Sequence, residues 1–345
     1  MAKRVLIWCT KVVAAGITAF GILALFCVFY YNPPVHVACE DGATCYKREP
    51  GSFWARGTEG FALGRIDENG YNNSYEAGTA GEDKPGNIDI LMMGSSQTEG
   101  LYVDDDRCAS FLLNEKFEED GSNYRVYNIG MSAHNVCQNA DNLKTAMSVY
   151  GPKRYVAMEI SQMYCEEWQY RAIVDGTYEE VVLQEYPEIL EFAQRIPYVK
   201  LLYQQYKNYQ NQDLMGPLGT ESENPATADG QQWMGALLDY MNEQVRAQDC
   251  ALIMYYIPQV DFDGDGNIYF AAEDSSRENF AAMCQERGIL FVDMADRLQQ
   301  AYEEEYVVGA GFSNTTVGYG HLNEQGHDML AEGIYEAITG EEAKP

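Results

Sequence analysis

The stretch Gly94-Ser95-Ser96-Gln97-Thr98-Glu99-Gly100 sets a serine between glycines, directly after the short apolar run Ile88–Met93. A run of that length ending in glycine reads as a buried strand meeting a turn. In an open α/β sheet, ligands gather where strand ends meet their loops. The Ser96 hydroxyl is then expected at such an edge, with N–H groups of a starting helix able to face an anion. Near the other end of the chain, Gly320-His321-Leu322-Asn323-Glu324-Gln325-Gly326-His327 places His321 just ahead of a helix. A loop histidine at the same edge could take the Ser96 proton and make the hydroxyl a nucleophile. A third piece, Asn128-Ile129-Gly130-Met131-Ser132, ends another strand, and the Gly130 N–H could approach a substrate oxygen with no Cβ in the way. His36, His134 and His327 are read as structural.

The elements that must position these residues follow from hydrophobic pattern. After Ile88–Met93, strands are expected at Tyr124–Asn128, Tyr155–Ile160, Ala251–Ile257 and Ile289–Val292. Helices are expected over Arg107–Glu118, His134–Tyr150, Gln231–Ala247, Ser275–Arg287, Met294–Glu304 and Asn323–Ile338, the last packing Leu330, Ile334, Ala337 and Ile338 on the sheet. Strands separated by helices imply a mostly parallel sheet covered on both faces. Residues 162–230 depart from the alternation. They are long, helical and rich in Tyr and Gln, broken by Pro187 and Pro197, and close on a polar linker over 219–230. They are read as an insertion forming a cap or side wall. Residues 32–85 show little periodicity and are read as a stalk and N-terminal extension.

Taken together, the three pieces resemble the SGNH, or GDSL, hydrolase family over residues 86–340. The family's first block, G-D-S-x-T-x-G, stands here as GSSQTEG, its N-x-G as NIG, and its final histidine block as HLNEQGH. The resemblance implies α/β class, a flavodoxin-like three-layer α/β/α sandwich with a mostly parallel five-stranded sheet. It implies Ser96 as nucleophile, His321 as base, and Ser96 and Gly130 as oxyanion donors. Two departures stand out. The family's D-x-x-H acid falls on Gly318, and VGYGH holds no carboxylate. Either another acid serves, or a backbone carbonyl holds the imidazole. The family's G-x-N-D block reads Glu159-Ile160-Ser161-Gln162-Met163, so Ser161 or Gln162 would replace the oxyanion asparagine. The implied activity is acyl transfer through a serine ester. It would remove or transfer O-acetyl or similar groups on extracellular or cell-surface carbohydrate, without a cofactor. A catalytically silent domain that binds glycan or scaffolds an envelope complex is the alternative.

One motif stands apart. Asp261-Phe262-Asp263-Gly264-Asp265-Gly266-Asn267-Ile268 matches the start of an EF-hand-like loop, so Asp261, Asp263, Asp265 and Asn267 are candidate ligands for a structural Ca²⁺. Position 12 of the pattern is Ala272, and Glu273 comes one residue late.

Val12–Tyr31 is uncharged and spans a hydrocarbon core of roughly 30 Å at about 1.5 Å per residue. Lys3, Arg4 and Lys11 precede it, which places residues 1–11 in the cytoplasm, 12–31 in the membrane and the main domain outside. The chain is read as a single-pass membrane protein. Beyond Tyr31 lie 20 basic and 53 acidic residues, a net charge of −33. Such a surface repels nucleic acid and anionic lipid. Seven cysteines lie in this part, and Cys39 and Cys45 bracket a turn that a local disulfide would suit in an oxidising compartment.

Overall fold

A computed structural model describes residues 2–73, 87–178, 195–212, 228–263, 265–270 and 274–342. Helix α1 (Ala2–Tyr30) takes in the whole apolar segment and is long and apolar enough to cross a membrane. It passes without a linker into strand β1 (Tyr31–Asn32). The next residues form β2 (His36–Ala38), β3 (Tyr46–Arg48), β4 (Phe53–Arg56) and β5 (Ala62–Arg65). β2 and β3 pair as a hairpin, while β1, β4 and β5 make a small antiparallel sheet in which Tyr31 lies opposite Arg56. The expectation of a sparsely ordered stalk is therefore corrected over residues 32–73. Its apolar side chains Trp54, Ala62 and Ile66 bury with Leu101 in a core of their own. Residues 74–85 lie outside the described residues.

The main sheet has the order β12-β9-β8-β6-β7, every pair parallel. Its strands are β6 (Ile90–Met93), β7 (Val126–Asn128), β8 (Tyr155–Ile160), β9 (Ala251–Tyr256) and β12 (Leu290–Asp293). Counted along the sheet from β6 as the first strand, this is the 2-1-3-4-5 flavodoxin-like order. β6 is buried at all four positions, and its side chains alternate between two cores. Leu91 and Met93 join Val156, Met158, Leu252 and Met254 on one face. There they meet α4 (Val136–Tyr150), α7 (Ala228–Arg246) and α8 (Asp274–Glu286). Ile90 and Met92 join Tyr155, Ala157, Ile253 and Tyr255 on the other. There they meet α3 (Ala109–Glu119), α9 (Met294–Glu305) and α10 (Glu324–Glu342). Three layers result because predominantly apolar strands, with side chains alternating between the two faces, must be covered on both. Of the expected insertion, α5 (Glu167–Asp175) and α6 (Pro197–Gln212) are described. Residues 179–194 with Pro187, and 213–227 with most of the polar linker, lie outside the described residues.

The N-terminal segment is tied to the sheet by polar contacts. The Asn73 side chain accepts from Asn128 N at 2.9 Å and donates to Asn128 O at 3.0 Å, continuing the ladder past the edge strand β7. Arg48 reaches Glu99 with Nε to Oε1 at 2.6 Å and Nη2 to Oε2 at 2.9 Å, both side chains almost wholly buried. Burial works to raise the Glu99 pKa, but the Arg48 charge and hydrogen bonds hold it below the usual carboxylate range. Breaking a buried pair leaves an uncompensated charge, so Arg48→Met should cost about 3–5 kcal/mol of unfolding free energy. Urea unfolding followed by circular dichroism checks this, and a loss under about 1 kcal/mol would mean the pair is not desolvated as the structure places it.

Candidate active site

Ser96 opens a short helix, α2 (Ser96–Glu99), capped by Ser95. The Glu159 carboxylate, from buried strand β8, holds this turn. It accepts from Ser95 N at 2.8 Å, Thr98 N at 3.2 Å, and the hydroxyls of Ser95 and Thr98. Tyr255 OH lies 2.6 Å from Thr98 Oγ1 and fixes the turn from beneath. The helix-start N–H groups can be accounted for one by one. Gln97 N gives to Ser95 Oγ, Thr98 N to Glu159, and Glu99 N to Ser95 O. Among the described residues, the Ser96 N–H has no partner.

His321 comes to this turn from the loop before α10. Ser96 Oγ lies 2.9 Å from His321 Nε2, and His321 Nδ1 lies 2.9 Å from Glu59 Oε1. The same Glu59 oxygen accepts from His321 N at 2.9 Å. An ionised carboxylate can only accept, so Nδ1 carries the proton and Nε2 is left to accept from Ser96. Burial works to raise the Glu59 pKa, but the hydrogen bonds and charge of His321 bring the net shift below the usual value. Gln97 joins the two loops, donating to Gly320 O at 3.1 Å and accepting from Leu322 N at 2.8 Å. The Tyr102 ring stacks on the imidazole with centroids 3.5 Å apart and planes within 11°. Arg56 lies over the same ring, its Cζ 4.8 Å from the centroid.

The carboxylate missing from the VGYGH stretch is thus supplied from the N-terminal segment. The loop 57–60 between β4 and β5 carries Glu59, and Asn314 pins it. Asn314 donates to Gly57 O at 3.0 Å and Gly60 O at 2.9 Å, and accepts from Gly60 N at 2.7 Å. Gly320 makes the room. A Cβ there would stand 2.4 Å from Glu59 Oε1, and its φ of +100° is one that other residues rarely adopt. Sequence reasoning missed Glu59. Its one local signal is a position between glycines, Gly57-Thr58-Glu59-Gly60, and nothing in spacing singles it out from 53 acidic residues.

The expected oxyanion set fares unevenly. Gly130 N donates to Asn128 Oδ1 at 2.8 Å, so the expectation of a free donor there is corrected. The glycine is explained by packing, since a Cβ would meet Thr98 and the Glu99 backbone at 2.7 Å. Ser161 and Gln162 follow β8 beyond Glu159 and make no hydrogen bond to the Ser96 turn. Asp261 lies in β10 (Val260–Phe262), which pairs with β11 (Ile268–Phe270), and Asp263, Asp265 and Asn267 fall between the two strands. Asp263 accepts from Asp265 N, Asn267 N and Asn267 Nδ2 at 2.8–2.9 Å, while Asp261 accepts from Tyr269 OH at 2.8 Å. Among the described residues no group of three or more His, Cys, Asp or Glu is placed to hold a metal ion. Gly264, Ala272 and Glu273 lie outside the described residues. The Cys39 thiol donates to Asp41 Oδ1 at 3.0 Å, and the Asn142 side chain donates to Cys45 Sγ at 3.4 Å.

The other three histidines sit inside the fold. Burial, followed by the Arg48 charge, lowers His36 to about 3. Burial lowers His134 to about 4, and burial with the nearby His321 lowers His327 to about 3. A depressed histidine pKa means the unfolded chain binds more protons below about pH 6.5, so this stability is full above that pH and lost as pH falls. Each pH unit below 6.5 should cost up to about 1.4 kcal/mol per histidine, at most about 4 kcal/mol for the three. Urea midpoints measured from pH 7.5 to 5 check this, and a flat profile to pH 5 would show that the three are not buried neutral.

No protein-family model matches the sequence, and no curated protein matches it. Solved structures similar to this chain include TesA, 13% identical over 73% of this chain and 98% of its own, with a TM-score of 0.41. A GDSL-like lipase from Bacteroides thetaiotaomicron is 13% identical over 73% of this chain and 88% of its own, with a TM-score of 0.35. The acetyl xylan esterase AlAXEase is 10% identical over 73% of this chain and 100% of its own, with a TM-score of 0.40.

Proposed function

We propose that the chain is a serine acyl hydrolase or acyltransferase of SGNH type, working through Ser96, His321 and Glu59. The observation that carries this reading is the unbroken Ser96–His321–Glu59 chain, with 2.9 Å at each step. His321 Nε2 takes the Ser96 proton as Oγ attacks an ester carbonyl. Glu59 holds the imidazole in the required tautomer and stabilises the imidazolium that forms. The Ser96 N–H receives the developing oxyanion, with a second donor from Ser161 or Gln162 at the end of the strand whose Glu159 grips the same turn. His321 then protonates the leaving oxygen. Water, or a sugar hydroxyl, accepts the acyl group from Ser96 by the reverse steps.

The finer reading is that the acyl group is acetyl or similarly short and borne on carbohydrate outside the cell. The basic residues Lys3, Arg4 and Lys11 on the N-terminal side of the apolar segment support that placement. Full-length protein in detergent should hydrolyse p-nitrophenyl acetate and bind a fluorophosphonate at Ser96 alone. Ser96→Ala and His321→Ala should abolish both. Glu59→Gln should retain the fold but lower kcat by roughly 10⁴, the loss seen when an orienting acid is made neutral. Failure of the wild type to label at all, with the fold intact, would replace this reading with a silent glycan-binding domain.

A further inference from the structure

Helix α6 belongs to the inserted segment, yet it packs against the apolar helix α1. Tyr198 OH donates to Phe20 O at 2.5 Å, and the two rings stand 4.8 Å apart. Phe20 lies ten residues before the end of α1 at Tyr30, about 15 Å along the helix axis. If α1 crosses a bilayer, Phe20 is inside the hydrocarbon and Tyr198 reaches it there.

The two sides of α6 differ in kind. Lys200 Nζ reaches Asn32 Oδ1 at 2.7 Å and Pro33 O at 3.0 Å, and Gln204 Oε1 accepts from Tyr31 OH at 2.8 Å. These partners are the first residues after α1, so this side of α6 sets its polar groups against the point where the chain leaves the apolar span. Val199, Leu202, Tyr203 and Tyr206 recur at i, i+3, i+4 and i+7 and form one stripe. They are exposed by 37%, 69%, 55% and 56% of their surface. An aliphatic stripe ending in tyrosines matches the boundary between acyl chains and headgroups, where amphipathic rings settle.

We propose that α6 is a second membrane element, seated beside the C-terminal half of α1 with the Val199–Leu202–Tyr203–Tyr206 face covered by lipid. Continuity with α1 names the occupant. The net charge of −33 beyond α1 specifies a zwitterionic surface over an anionic one. This requires α1 to span the bilayer and does not depend on the chemistry at Ser96.

The test uses the full-length chain in phosphatidylcholine nanodiscs, with a photoreactive diazirine amino acid placed at Leu202, at Val199, or at Glu303 on α9 as the water-facing control. Circular dichroism and thermal unfolding establish that each variant is folded. Irradiation should add the mass of one phospholipid at positions 202 and 199 at roughly ten-fold or more above the level at 303. Lipid capture at 202 and 199 no greater than at 303 would overturn the proposal. So would crosslinking of these positions to a second copy of the chain or to another part of the same chain.

Discussion

The contact between Glu59 and His321 is the constraint around which the molecule is arranged. A serine and a histidine at a sheet edge need a third group that fixes the imidazole tautomer, and the C-terminal loop has no carboxylate to offer. One oxygen of Glu59 accepts from both the ring and the backbone of His321. Both bonds depend on where the loop 57–60 holds that oxygen. The small sheet β1-β4-β5, the buried Trp54, the Asn314 clamp and the open space at Gly320 all serve to hold it there. The N-terminal segment is thus a wall of the site.

Three carboxylates surround the serine turn, and each is committed differently. Glu59 is bound by a histidine, Glu99 by an arginine and Ser132, and Glu159 by two amides and two hydroxyls. A chain with 53 acidic residues would be expected to keep them in water. Here a few are drawn inward as acceptors for the N–H and O–H groups that a tight strand-to-helix turn leaves open. Glu159 takes up the Thr98 and Ser95 donors, which leaves the Ser96 N–H as the one uncommitted donor of that turn. On the proposed mechanism, a pre-set arrangement of this kind would avoid reorganisation when charge develops on a substrate.

The sheet was legible in the sequence because its strands are predominantly apolar runs and the helices between them carry a 3.6-residue period. Tyr155–Ile160 matches residue for residue, and the other four strands shift by one or two residues at their ends. Ser96 and His321 were legible because glycine-flanked motifs fall at strand and helix boundaries. Glu59 was not, because its role depends on a contact across 262 residues of chain that no local pattern encodes. Residues 32–73 were read as irregular for a related reason. Their strands are two to four residues long, too short for a period to show, and are stabilised by tertiary contacts such as Asn73 with Asn128. Gly130 shows the converse error, in which a correct motif suggested a backbone donor while the glycine's actual duty is to admit Thr98.

The direct passage of α1 into β1 has a consequence for how this protein could ever be set free. Tyr31 is at once the end of the apolar span and the strand partner of Arg56, three residues ahead of Glu59. No linker residue separates the apolar helix from the β1-β4-β5 sheet at this junction. A cut placed beyond Asn32 would also strip β4 of its neighbour and loosen the loop that orients the histidine. On the proposed reading, in which α1 anchors the chain and Glu59 orients a catalytic His321, attachment and competence share the same two residues, and a shed form of this domain would be a disarmed one.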